Sequence, residues 1–244
     1  MIGRAFGREL GNLIEYNAKV TEISQDERGV TVAYQDTQTR SAKVAQAQWC
    51  ICTIPASILS QIPMTVGAPM RSAIDALYYD SSMKVGLQFK RRFWEEDEAI
   101  YGGMSFTDQP NTLIGYPNSG YFSDGPAVLL GAYSFGPNSF EYAAMPPEER
   151  IRKTVEYGSR IHPQYAAEFQ HGVAVAWHRV PWTLGCAAHW TEALRGQHYD
   201  DLCAIDGRIV LAGEHASRLP AWQEGALLSS LDAIGRLHAR VMAA

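Results

Sequence analysis

Apolar and polar positions alternate most cleanly at Met83, Val85, Leu87 and Phe89, interleaved with Lys84, Gly86, Gln88 and Lys90. That alternation predicts a two-faced strand, because successive side chains of a strand point to opposite sides. Val30, Val32 and Tyr34 alternate in the same way. With the polar turn at residues 25–29 and an apolar stretch at 14–23, they predict a hairpin. Residues 49–54 are continuously apolar apart from Thr53 and stop at Pro55, which predicts a central strand. Residues 209–212 form another apolar run, bounded by Gly207 and Gly213, and suit a buried strand. Further strands are expected at 127–133 and 173–177. Helical spacing takes over at Ile2, Phe6 and Leu10, with Gly11 as a stop, and again at Met70, Ile74 and Leu77. Pro146, Pro147, Glu148 and Glu149 open a helix whose apolar face carries Ile151 and Val155. Near the end, Leu227, Leu231, Ile234 and Val241 make one apolar face of a helix, with Pro220 in its first turn. Residues 181–199 read as aromatic and irregular.

Composition narrows the possibilities. The chain has 244 residues, 46% of them hydrophobic and 19% charged, with a net charge of −5. That is ordinary for a globular protein with a real core and leaves no basic footprint for nucleic acid. No apolar run reaches the length of a membrane span. The opening residues, Met1-Ile-Gly-Arg4, lead into no apolar core of a signal peptide, so a cytoplasmic chain is expected. Four cysteines do not make a disulfide framework, and Cys50 and Cys52 lie in one apolar run as thiols. No metal-ligand spacing is present.

Glu214 is the residue with candidate chemistry. It sits in the turn between the 209–212 strand and the last helix, where α/β layers usually hold a ligand. The surrounding motif, Ala212-Gly-Glu-His215 followed by Ala221-Trp-Gln-Glu-Gly-Ala226, resembles the C-terminal flavin-binding signature of the flavin-dependent amine oxidases. These include monoamine, polyamine and L-amino-acid oxidases. The resemblance implies FAD, with Gly213 and Glu214 at the cofactor and the Glu214 carboxylate accepting charge-assisted bonds from ribityl or ribose hydroxyls. It places Ala221, Trp222 and Gln223 near the pyrimidine edge of the isoalloxazine. Trp222 stands where the family carries a cage aromatic on the substrate side. Gly225 gives room for close approach in the first turn.

The likeness extends along nearly the whole chain. Ala18-Lys-Val-Thr-Glu-Ile23 resembles the strand that meets adenine, which gives Val20 a backbone contact there; alone, Val20 is an ordinary strand valine. The segment from Ser81 to Trp94 resembles the one carrying the family's active-site lysine. Lys84 takes that position, and the resemblance implies that it holds a water against flavin N5 and assists reoxidation by O2. Taken alone, Lys84 is a polar-face residue of an amphipathic strand. Trp177-His-Arg-Val-Pro-Trp-Thr-Leu-Gly-Cys186 looks like the approach to the flavin, with Trp177 along the ring. Monoamine oxidases bind the flavin covalently through a cysteine near the position of Cys186. That linkage is not carried over, because Ala187 stands where an aromatic would follow. Ala187 and Trp222 together lean towards an amino-acid oxidase.

The family's G-x-G-x-x-G fingerprint, which cradles a pyrophosphate, is absent, since no two of the 21 glycines are spaced at i and i+2. The resemblance therefore implies a C-terminal half. The expected fold class is α/β (α+β mixed). The chain would be part of a two-domain FAD-binding plus substrate-binding amine-oxidase fold that is incomplete without a partner segment. Residues 1–55 and 183–244 would belong to the FAD-binding domain and 56–182 to the substrate-binding domain. The expected partners are a second chain carrying the N-terminal FAD-binding half, an amine or amino-acid substrate, and O2. A split subunit, a processed product and a truncation all fit. The expected activity is L-amino-acid oxidase. The alternatives are a monoamine or polyamine oxidase, an amino-acid monooxygenase component, and a flavin-free regulatory remnant.

Overall fold

The structure, a computed structural model, describes residues 2–243. It forms two compact units: residues 78–189 are one, and the flanking segments up to 77 and from 190 make the other. The expected domain crossings at 55/56 and 182/183 thus fall inside units.

The first unit opens with helix α1 (Ile2–Leu10). Gly11, at φ 51°, ends it in the left-handed region that glycine tolerates. None of the residues of α1 is buried, so its stripe of Ile2, Phe6 and Leu10 stays exposed. Strands β1 (Ala18–Gln25), β2 (Val30–Asp36) and β3 (Ala42–Ala47) form an antiparallel sheet in that order. β1 starts later than the apolar stretch at 14–23 suggested, because Asn17 turns the chain at φ 61°. All of β3 is exposed, so it lacks the apolar face that marks a strand in a sequence. Next come β4 (Cys50–Cys52), helix α2 (Ala56–Leu59) and helix α3 (Ala68–Ala76), which buries Met70, Ala73 and Ile74.

The second unit begins with a stem in which Tyr78 and Asp80 exchange backbone hydrogen bonds with residues 186–189. Strand β5 (Ser82–Phe89) follows, then α4 (Phe93–Glu96), β6 (Met104–Phe106), β7 (Leu113–Gly115), β8 (Ala127–Phe135), α5 (Gly136–Ala144), α6 (Pro147–Gly158), α7 (Tyr165–Glu168) and β9 (Phe169–Ala176). The sheet order is β6-β7-β8-β5-β9, with every neighbouring pair antiparallel. The alternation in β5 is realised in full. Met83, Val85, Leu87 and Phe89 are completely buried, and each contributes roughly 1.5–3 kcal/mol of hydrophobic stabilisation. Phe89, Phe93, Trp94 and Tyr165 meet edge to face, the closest pair at 4.7 Å. Helix α6 buries Arg150, Thr154, Tyr157 and Gly158, while Ile151 and Val155 are only partly covered. Burial of Arg150 is offset by donation to the carbonyls of Tyr142, Ala143 and Met145 at 2.9–3.1 Å.

The chain then returns to the first unit. Residues 192–199, expected to be irregular, belong to helix α8 (Glu192–Cys203). Thr191 caps it, its Oγ1 accepting from the Leu194 N–H at 3.1 Å. Helix α8 packs on α3. Strands β10 (Ile205–Asp206) and β11 (Ile209–Leu211) lead to helix α9 (Gln223–Met242). β11 is fully buried and pairs in parallel with β4, so the sheet order is β10-β11-β4. The run at 49–54 was expected to be central. It supplies three strand residues at a sheet edge among the described residues, and Ile51 is exposed. Pro220 lies ahead of α9 rather than in its first turn. The buried face of α9 is Gly225, Ser229 and Ala233, small residues that let it approach β11 closely. The leucine-rich stripe is exposed instead, Leu231 to 67%.

Candidate functional site

In the first unit, the candidate residues gather where β11 gives way to α9. Gly213 has φ 131°, a conformation that suits glycine, and starts the turn carrying Glu214. Its N–H donates to Ser229 Oγ at 3.2 Å, and that hydroxyl donates onward to the Ala216 carbonyl at 2.9 Å. Trp190 Nε1 donates to the His215 carbonyl at 2.9 Å. The loop is thereby tied to α9 and to the residue that precedes the Thr191 cap of α8. Glu214 Oε2 accepts from the Ala221 N–H at 3.0 Å, across the loop. Ala221 itself has φ 68°, rare for a residue with a side chain. Trp222 precedes α9 and is 66% exposed, and no side chain caps the helix there. At Gly225 the loop itself is the close neighbour. A Cβ there would lie 1.8 Å from the Leu219 carbonyl oxygen, so the glycine makes room for the loop itself.

His215 is the residue of this turn that the motif named without a role. Its ring is buried, Nε2 has no hydrogen-bond partner, and burial pulls its pKa down to about 4. It is a neutral ring packed under Gly213, whose added Cβ would meet the His215 ring at 2.8 Å.

In the second unit, Lys84 lies opposite Tyr133 on β8 and Val175 on β9. Its Nζ sits 4.2 Å from the centre of the Tyr133 ring. Burial, with a smaller contribution from neighbouring Cys186, pushes the pKa of the Tyr133 hydroxyl up to about 12. Trp177 follows β9 directly, with its indole Nε1 buried and without an acceptor. The adjoining His178 ring is partly buried, and burial lowers its pKa below the usual histidine range. A second polar chain runs Ser105–Tyr116–His162–Glu98, with contacts of 2.9, 2.6 and 2.8 Å. Every group in it has a partner, which makes it a structural tie between strand and helix connections.

Gly213, Glu214, Ala221, Trp222 and Gln223 are therefore brought together in one loop and helix start. Val20 lies elsewhere in the same unit, on edge strand β1 opposite Tyr34 and beside a bulge. Lys84 and Trp177 belong to the other unit. Tyr133 joins them there, and its contact with Lys84 was not visible in the residue pattern. Among the described residues no group of acidic, histidine and cysteine side chains could hold a metal. None of the helices described is long and apolar enough to cross a membrane. A flavin fits what is present. The uncapped start of α9 offers N–H groups and partial positive charge to an anionic ring edge. In the same unit, Trp222 presents an open aromatic face.

A family model described as flavin containing amine oxidoreductase matches residues 2–237. An L-amino-acid oxidase of Siganus canaliculatus is 31% identical over 243 residues, covering 98% of this chain and 46% of that protein. An L-amino acid oxidase of Bothrops pictus is 30% identical over 227 residues, covering 90% and 45%. The structure of cyclohexylamine oxidase from Brevibacterium oxydans IH-35A aligns with a TM-score of 0.82 over 99% of this chain and 52% of that one. At 18% identity that likeness concerns the fold alone. The chain spans about half the length of these relatives.

Proposed function

Because the chain belongs to the flavin-containing amine oxidoreductases, we propose that it is the C-terminal half of an FAD-dependent L-amino-acid oxidase. When bound, FAD would take hydride from the substrate Cα and pass electrons to O2, giving H2O2 and an imine that hydrolyses to a 2-oxo acid and ammonia. This chain's residues hold, orient and exclude. Glu214 accepts from ribityl or ribose hydroxyls, with its other contact to the Ala221 N–H fixing the carboxylate. Gly213 lets the backbone turn at that point. Ala221, Trp222 and Gln223 meet the pyrimidine edge, where the helix start favours negative charge. Val20 contacts adenine through its backbone. Trp177 lies along the ring, Trp222 faces the substrate, and Lys84 holds the water used in reoxidation.

The observation that carries this reading is the turn itself. A glycine at φ 131°, a carboxylate tied across the loop and an uncapped 20-residue helix occur together. The motif that resembles the flavin signature contains all three. The lean towards amino acids rests on Ala187 with Trp222 and on the relatives named above. A requirement for the substrate α-carboxylate would separate this activity from a monoamine or polyamine oxidase.

The G-x-G-x-x-G segment is to be supplied by a further N-terminal half, carried on a partner chain. The exposed stripe of α9 and the β4 edge are the surfaces such a half would cover. The test is co-expression with that half and a visible absorption spectrum. Flavin bands only in the assembled sample, lost in Glu214→Ala, support the proposal. Flavin bands in the chain alone would remove the need for a second half. No flavin in either sample would overturn the assignment.

A further inference from the structure

The least expected feature of the second unit is the direction in which Tyr133 points. From Phe89↔Ala127 to Leu87↔Leu129, strands β5 and β8 pair in one register, and Leu129 faces the core. At Val85/Gly86 the register slips, with Val85 opposite Ala132 and Gly86 opposite Leu130, so Gly131 is the extra residue of a bulge. A one-residue slip moves every later side chain to the other face. Without it Tyr133 would lie on the core face with Leu129. With it, Ala132 and Ser134 are buried in the core, while Tyr133 and Phe135 join Lys84 on the opposite face.

What the bulge delivers is specific. Tyr133 becomes the direct cross-strand partner of Lys84, its ring 4.2 Å from Nζ. Such a contact attracts an ammonium to the negative face of the ring. Lys84 forms no ion pair with a carboxylate among the described residues, so this ring fixes where its charge sits. The ring is itself backed by Phe135, which packs on it at 4.5 Å.

We propose that Tyr133 is a positioning residue for Lys84, carrying the ammonium on its ring, which is backed by Phe135. This rests on the assignment of Lys84 to the oxidase reaction; the contact itself does not depend on flavin. Tyr133 acts through Lys84, by limiting the directions in which the ammonium can present its protons.

The chain has only five lysines, at positions 19, 43, 84, 90 and 153, so NMR of the lysine Cε methylenes resolves each one. Lys84 is assigned by Lys84→Arg. In the flavin-free chain its signal is expected upfield of the other four, through the ring current of Tyr133. Tyr133→Leu abolishes that shift, whereas Tyr133→Phe keeps the ring and retains the shift. In the flavin-loaded assembly, reoxidation by O2 should slow roughly two- to fivefold in Tyr133→Leu, the fold-change that loss of one exposed cation–π contact gives. A Lys84 signal unchanged in Tyr133→Leu overturns the proposal. If that variant fails to fold, a Lys84 signal in the unsubstituted chain no further upfield than those of the other four lysines does so. The NMR result stands apart from flavin binding, so it fails separately from the proposed function.

Discussion

Helix α9 carries two glycines whose surroundings are opposites, and they predict opposite effects of the same substitution. At Gly225 an added Cβ would stand 1.8 Å from the Leu219 carbonyl oxygen and 2.8 Å from Ser217 Oγ. At Gly235 it would meet nothing within 4 Å. Alanine in a helix interior is favoured over glycine by about 0.5–1 kcal/mol, because glycine loses more backbone entropy on folding. Gly235→Ala should show that gain undiluted. Gly225→Ala receives the same gain but must displace a backbone oxygen by about 1.6 Å to reach an ordinary contact. Backbone in a tied loop does not yield as a side-chain tip would. Overpacking costs about 1–3 kcal/mol, and here the upper end applies. The net expectation is about 2 kcal/mol of destabilisation. For a chain of this size that lowers Tm by roughly 4–8 °C, against a rise of roughly 1–4 °C for Gly235→Ala. Thermal unfolding of the flavin-free chain by far-UV circular dichroism measures both. A Gly225→Ala variant as stable as wild type would refute the close packing of the loop at residues 217–221 on α9. The placement of Glu214 and Trp222 beside that helix start would then need revision.

Two further outcomes follow from single residues. His215 has a folded-state pKa of about 4 against an ordinary value of 6.5, so below pH 6.5 the unfolded chain takes up a proton that the folded chain refuses. Its contribution is complete above pH 6.5 and is lost as pH falls towards 4, on the order of 3 kcal/mol in all. Urea unfolding at pH 7 and pH 4.5 should show a steeper loss in wild type than in a His215→Phe variant; equal slopes would refute it. Thr191→Ala removes the side-chain cap at the start of α8 and should cost about 1 kcal/mol, read as a lower urea midpoint at unchanged m-value. No change in the midpoint would mean that the cap contributes nothing.

The features read correctly from the sequence are those in which one local period governs burial. Strand β5 announces itself because one face meets a packed core and the other does not, and β11 because it is buried on all sides. Helix α8 was hidden for the opposite reason. It buries only His198 and Leu202, too few for an apolar stripe to stand out among its aromatic neighbours. The stripe on α9 misleads in a third way. Leu227, Leu231, Ile234 and Val241 have the right spacing for a core face, yet the core contact is made by Gly225, Ser229 and Ala233. Small residues permit the close approach to β11, and hydrophobicity scales do not register that.

The candidate site was legible to the extent that it is local. Gly213, Glu214, Ala221, Trp222 and Gln223 lie within eleven consecutive positions, and their motif survives in the linear order. Tyr133 was not legible, because its side is decided by a pairing partner 49 positions earlier in sequence. Read along β8 alone, Leu129, Gly131 and Tyr133 share one side; the extra residue at Gly131 breaks that parity only when β5 is laid alongside. Register is a property of two strands together, so no count of periodicity within one of them can contain it. The same bulge explains why the buried positions of β8 run Leu129, Gly131, Ala132 and Ser134, with two neighbours buried in succession. An apolar pattern that breaks its own period by one residue is the signal to seek. In β8 that break coincides with the aromatic side chain set against the one lysine to which the family resemblance gives a role.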